Sequence, residues 1–109
     1  GDAVTTQGFR LSARWIIHAV APDMRTGIAL DRATQLLESC YRAVLREAEE
    51  VGARSVAIPP LGTGVFGFPK ALAAKRAVAT LRSAPTRVES VILACKGGEN
   101  EEFLRLEVG

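Results

Sequence analysis

The chain has 109 residues, a length that suits one compact domain with a single core of modest reserve. Hydrophobic residues make up 48% and charged residues 24%, the balance of a soluble globular protein, and 14 Lys and Arg against 12 Asp and Glu leave a formal net charge of +2. The basic residues are scattered and not in a run, so they read as solvated surface, and two cysteines with one histidine at no metal-ligand spacing argue against a zinc site.

No apolar run approaches a membrane span, and no secretory signal is present. Cys40 and Cys95 both sit in apolar patterns, where a free thiol behaves as a small core hydrophobe. That usage fits a reducing, cytoplasmic setting. The chain begins at Gly1 and not at a methionine, as a processed product or a fragment does.

In chain order, residues 3–6 (AVTT) form a weak strand candidate and residues 15–20 (WIIHAV) a buried one, with Gly8 marking a turn between them. The pair is expected to form a hairpin with a loose loop. His18 then reads as a hydrogen-bonded core residue without a catalytic role. Pro22 ends the second strand, and residues 22–29 read as loop. Asp31 is placed to cap a long helix. Ala33, Leu36, Leu37, Cys40, Tyr41, Val44, Leu45, Ala48 and Val51 recur at helical spacing along it, and Gly52 stands where a left-handed cap is expected. Glu38, Arg42, Arg46, Glu49 and Glu50 read as the solvated face of this helix.

Residues 55–61 predict a further buried strand, and residues 59–69 (PPLGTGVFGFP) follow as a glycine loop. Pro69 suits the first position of a second helix that stops near Pro85. Residues 88–95 predict another strand. Gly97 and Gly98 turn the chain into a short closing helix over 99–107, with Phe103, Leu104 and Leu106 inward. The order β-β-α-β-α-β-α argues an α/β layered fold with a largely parallel core sheet.

Gly62, Gly64 and Gly67 have the spacing G-x-G-x-x-G, at the carboxyl end of a strand and ahead of a helix. Free amides there face the positive end of a helix dipole, and Lys70 adds charge, so the place favours a phosphate or diphosphate. A Rossmann site fits less well. Phe68 and Pro69 separate the glycines from the helix, and the strand after it ends in Cys95 and Lys96 without the acidic residue a ribose needs. No Gly-Lys-Ser/Thr follows, so the loop is not a Walker P-loop. The plain alternative is a tight turn that needs glycines for its backbone alone. Phe66 and Phe68 weigh against it, since a ribose or base wants a flat wall, although one of the two rings is expected to be an ordinary core plug.

The stretches GDAVTTQGFRLSARWIIHAVAP, LLESCYRAVLREAEEVGARSVAIPPLGTGVFGFP and VESVILAC together resemble the later part of a macro domain, the ADP-ribose-binding (Appr-1''-p processing) family. The resemblance covers nearly the whole chain, which reads as a single partial macro domain over residues 1–109. It implies an α/β fold of the macro domain kind, a three-layer α/β/α sandwich with a mixed sheet that lacks the family's N-terminal part. It also implies a loop in which Gly62, Thr63, Gly64, Val65, Phe66 and Gly67 bind ADP-ribose, their amides on the diphosphate and Phe66 against the distal ribose. The implied partner is ADP-ribose or an ADP-ribosylated macromolecule, with no metal, no cofactor and no membrane.

In the family an Asn-Ala-Ala-Asn strand and a first glycine-rich loop stand ahead of the position of Gly1, and hydrolytic members draw their water-positioning groups from there. No residue carried over here is a catalytic acid or base, so catalysis by this chain is expected to be weak or absent. The expected parent is a binder or a hydrolase at the distal ribose; the alternatives are a non-catalytic module that binds ADP-ribose, nucleic acid or protein, and, last, a Rossmann-type NAD oxidoreductase. Lys96 stands where the family often has an adenine-stacking aromatic, Gly62 where Ser is common, and Lys70 where an acid is frequent. These departures bear on adenine affinity more than on diphosphate affinity. Without the central strand, its two neighbours are expected either to pair directly or to favour self-association through open edges.

Overall fold

The computed structural model describes residues 1–7, 15–64, 66–95 and 98–109. Strands β1 (Ala3–Gln7) and β2 (Trp15–Ala19) are followed by a 3-10 turn at Met24–Thr26 and helix α1 (Leu30–Glu50). Then come β3 (Ser55–Ile58), α2 (Lys70–Ser83), β4 (Ser90–Leu93) and α3 (Gly98–Val108). The order of strands and helices matches the expected one. The expected turn residues Gly8 and Gly97 lie outside the described residues, as does Lys96.

Helix α1 organises the molecule. Its apolar stripe buries Ala33, Leu37, Cys40, Tyr41, Val44, Leu45 and Ala48. The stripe joins Ala3 of β1, Ile58 of β3, Phe68 of the glycine loop and Ala73 and Ala77 of α2 in one cluster, with Ile17, Val56 and Val91 packed against it. Leu45 and Ala48 reach Val88 in a second cluster, and Ala74 and Val78 of α2 meet Leu104 of α3 in a third. Burial at this density accounts for the helix far better than local propensity.

Helix ends differ from the expectation in instructive ways. The N-cap of α1 is Ala29, not Asp31; Asp31 lies in the first turn, where its carboxylate accepts from the Arg32 N–H at 2.9 Å and complements the helix dipole. Gly52 does take the left-handed conformation just past the helix, at φ 71°. Pro69 is the N-cap of α2 and not its first residue. Leu106, expected inward, is 78% exposed, because at α3 it is Leu104 that points at α2 and Leu106 falls on the far side. The Glu38 carboxylate is also less solvated than expected: it receives Arg76 of α2 at 3.0 Å and ties the two helices together.

The strands form two separate ribbons. β1 and β2 pair antiparallel, Ala3 opposite Ala19 and Gln7 opposite Trp15. β3 and β4 pair parallel, Ser55 opposite Ser90 and Ile58 opposite Leu93. Each sheet has two strands, and among the described residues no ladder joins β2 to β3. Direct pairing of β2 with β3, one of the two arrangements expected, is not seen among the described residues. Val56, Ile58, Val91 and Leu93 turn toward the helices, while Ser55, Ala57 and Ile92 face outward and are exposed, so β3 is half-buried where full burial was expected. His18, expected in the core, is exposed on β2, on the opposite parity from Ile17 and Ala19, which pack on the core.

The radius of gyration is 13.5 Å, close to the roughly 13 Å of a compact chain of this length. The accessible surface is 6928 Å², against roughly 5,800 Å² for a compact folded chain of 11.6 kDa. Extra surface without extra extent means a re-entrant surface. Part of it lines a cavity of about 950 Å³, bounded by β2, β3 and the Val44, Ala48 and Val51 side of α1. Among the described residues no helix is long and apolar enough to cross a membrane.

Candidate functional site

The glycine loop leaves the carboxyl end of β3 through Pro59 and Pro60 and returns at Pro69 into α2. Two internal hydrogen bonds close it. The Phe68 N–H donates to the Gly62 carbonyl at 2.9 Å, and the Gly67 N–H donates to the Gly64 carbonyl at 3.1 Å. Phe68, 2% exposed, is the core plug expected of one of the two rings. At the loop's entry the Leu61 N–H donates to the Tyr41 hydroxyl at 3.1 Å, and burial pushes the Tyr41 phenol above its ordinary pKa. Tyr41 is therefore a neutral anchor.

That anchor gives an expected result. Tyr41→Phe leaves the Leu61 amide without its partner in a half-buried place, and costs about 1 kcal/mol of stability, measured by urea denaturation. An unchanged midpoint would mean that water replaces the hydroxyl at no cost.

The three glycines have different reasons. Gly62 and Gly67 are left-handed, at φ 78° and 73°, where a side chain is strained. A Cβ at Gly62 would also touch Phe68, Ala21 and Leu37 at 3.5–3.6 Å. Gly64 is outside the left-handed region and exposed, and among the described residues a Cβ at this position meets nothing within 4 Å. The turn alone therefore accounts for two of the three glycines.

Among the described residues, the amides of Gly62, Thr63, Gly64 and Phe66 have no intramolecular acceptor, whereas that of Gly67 is committed to the loop itself. The Gly67 amide expected on a ligand is thus used internally. Val65 lies outside the described residues. Thr63 is buried, and Phe66 is half-buried at the surface of the loop. Lys70, at the start of α2, stands 4.0 Å from Glu99 of α3, which offsets part of the charge it brings.

A second segment, read from the sequence only as loop, holds Phe66. The Met24 N–H donates to the Phe66 carbonyl at 2.9 Å. The Arg25 guanidinium lies over the Phe66 ring, 5.6 Å from its centre, an arrangement that contributes about 0.5–1 kcal/mol at an exposed site. Asp23 caps the 3-10 turn through the Arg25 N–H and grips the Arg25 side chain at 2.8 Å; that side-chain hydrogen bond is the main cause that holds its carboxyl below the ordinary range. Gly27 ends the turn at φ 79°. A signal was available in residues 22–27 (PDMRTG), where proline, a capping aspartate and a terminal glycine bracket one turn. Which loop that turn would touch was not legible.

The Macro domain family model matches residues 1–77. A macro domain-containing protein of Streptomyces nogalater is 48% identical over 91 residues, covering 84% of this chain and 49% of its own length. An O-acetyl-ADP-ribose deacetylase of Salmonella gallinarum is 41% identical, covering 97% of this chain and 58% of its own length. Among solved structures, an Oceanobacillus iheyensis macrodomain with ADP superposes with a TM-score of 0.85 at 27% identity, over 98% of this chain and 56% of that one. A Trypanosoma brucei macrodomain in complex with ADP-ribose superposes with a TM-score of 0.80 at 28% identity, over 98% and 45%. The chain thus spans about half the length of the curated relatives it matches.

Proposed function

The chain belongs to the macro domain family, and we propose that residues 62–67 form the diphosphate cradle of an ADP-ribose site. The observation that carries this reading is Gly64, whose φ lies outside the left-handed region and around whose missing Cβ no described atom lies within 4 Å. A bare backbone at an exposed loop tip permits close approach of a ligand, and the amides of Gly62, Thr63, Gly64 and Phe66, without an acceptor among the described residues, are donors of the kind an anionic ligand requires. Val65 belongs to the same proposed set. Gly67 serves it by fixing the turn. The half-buried ring of Phe66, held by Arg25 and Met24, offers the flat wall for the distal ribose.

Chemically this half-site binds and orients. Residues 59–69 include no Asp, Glu, His, Lys or Arg, so the loop brings dipoles and a ring but no group to move a proton. The O-acetyl-ADP-ribose deacetylase name belongs to the Salmonella relative. For this chain the proposal is ADP-ribose binding, with weak or absent turnover on its own. Solved relatives hold ADP and ADP-ribose, which supports a nucleoside diphosphate as the ligand class; the NAD oxidoreductase reading has no such support.

The test is a calorimetric titration of the chain with ADP-ribose, with adenosine as the ligand lacking phosphates. Saturable heat with ADP-ribose and none with adenosine is expected. Equal binding of both, or no binding of ADP-ribose, would overturn the cradle.

A further inference from the structure

Residues 23–27 form a turn that is braced from within. Asp23 caps it with one carboxylate oxygen on the Arg25 N–H at 3.0 Å, the Thr26 hydroxyl donates to the Asp23 carbonyl at 2.8 Å, and Gly27 closes it in the left-handed region. The Met24 side chain packs on the main cluster and so ties the turn to the core. Two arms reach from this turn to Phe66. One is the Met24 N–H, which donates to the Phe66 carbonyl at 2.9 Å. The other is the Arg25 guanidinium, whose 5.6 Å from the ring centre is within the range of a cation–π contact. The Asp23 carboxylate holds that guanidinium through Nε at 3.0 Å and Nη2 at 2.8 Å. A side chain that is 60% exposed is thus kept in one place.

The loop itself does little for the Phe66 ring. Its Gly64–Gly67 hydrogen bond passes around the residue without using it. Phe68 is a member of the main buried cluster, whereas among the described residues Phe66 packs on none of the three clusters. A phenyl group without such packing moves among its staggered wells, and a ligand that needs it in one well must order it first. The placement of the ring therefore comes from residues 23–25, more than forty positions away in the chain.

We propose that Arg25, steered by Asp23, is a positioning residue for the Phe66 ring, and that it sets the preference of the site for a nucleoside diphosphate carrying a second ribose over the bare nucleoside diphosphate. The inference rests on the loop reading given above. In that reading both ligands place a diphosphate on the loop amides, and only the second ribose meets the ring. A ring already in place lets its contact with that ribose appear as affinity, while a ring that must first be ordered gives part of it back. The charge of Arg25 is offset by Asp23 at 2.8 Å, so its general attraction for phosphates is small and is the same for the two ligands. What Arg25 controls is thus a difference between two affinities.

The experiment is a calorimetric titration of ADP-ribose and of ADP into the intact chain and into Arg25→Ala. ADP-ribose should bind the variant about three- to tenfold more weakly, and ADP should bind it as it binds the parent. The ratio of the two affinities is internal to each variant, so a change in stability does not move it. Phe66→Ala should lose at least as much of the ratio as Arg25→Ala does. Adding Arg25→Ala to Phe66→Ala should then change nothing further, because Arg25 acts through the ring.

An unchanged ratio in Arg25→Ala, whether both affinities hold or both fall together, would overturn the proposal and leave the loop reading standing. So would a further loss of ADP-ribose affinity in the doubly substituted chain, since Arg25 would then touch the ligand directly. A parent chain that binds neither ligand would instead overturn the loop reading, and this inference with it.

Discussion

Gly64→Val should weaken ADP-ribose binding at least about tenfold and leave thermal stability almost unchanged. The stability half follows from geometry. Gly64 is exposed, outside the left-handed region, and among the described residues open around its missing Cβ, so a side chain there costs the free protein little. Surface changes of this kind fall within about 0.5 kcal/mol. The binding half follows from where that side chain would stand. It would occupy the approach to the uncommitted amides, and each hydrogen bond lost to a charged phosphate is worth about 1.5–3 kcal/mol, or at least a tenfold change in affinity.

Gly62→Val is the companion. Its φ of 78° makes any side chain cost about 1–2 kcal/mol of stability before binding is considered. Calorimetry and melting on both variants separate the two readings of the loop. If the glycines served only the turn, Gly64→Val would bind ADP-ribose as well as the parent does, and only Gly62→Val would show a defect.

Leu37→Ala should cost about 2–5 kcal/mol, a large effect for a single substitution. Leu37 is fully buried at the centre of α1, in the cluster that joins Ala3, Ile58, Phe68 and Ala73. Both ribbons pack on this helix, and among the described residues no ladder joins one to the other, so a void at Leu37 loosens both. A chain of this length has roughly 5–15 kcal/mol in total, and the variant gives up a large share of it. Urea denaturation is the measurement. A loss below about 1 kcal/mol would mean that Tyr41 and Phe68 close over the gap, and that the helix is less central than its contacts indicate.

Much of this was legible in the residues because α1 repeats its apolar positions over nearly six turns and the glycine loop sits between a strand and a helix. The spacing of Ala33, Leu37, Tyr41, Val44 and Ala48 admits only one face. What was not legible depends on contacts between distant segments. Nothing local to His18 or Ala57 says which face of its strand meets the helices, so both read as buried. Leu106 and Leu104 are equivalent on a short helix until α2 chooses one of them. At the site, residues 62–67 were marked by composition. The Asp23–Arg25 grip on Phe66 was not, because it joins two loops more than forty residues apart, and the difference between Gly64 and its two neighbours is one of backbone angle.

The hydrogen bond from Met24 to Phe66 has a practical consequence. Met24 is the single methionine of the sequence, half-buried against the main cluster, and its backbone is fastened to the residue that walls the proposed ribose site. A carbon-13 label on its methyl group therefore yields one resonance from the whole protein, placed beside the loop and outside it. Ligand arrival at the loop, or a change in how Phe66 sits, shifts that line without any substitution in the site itself.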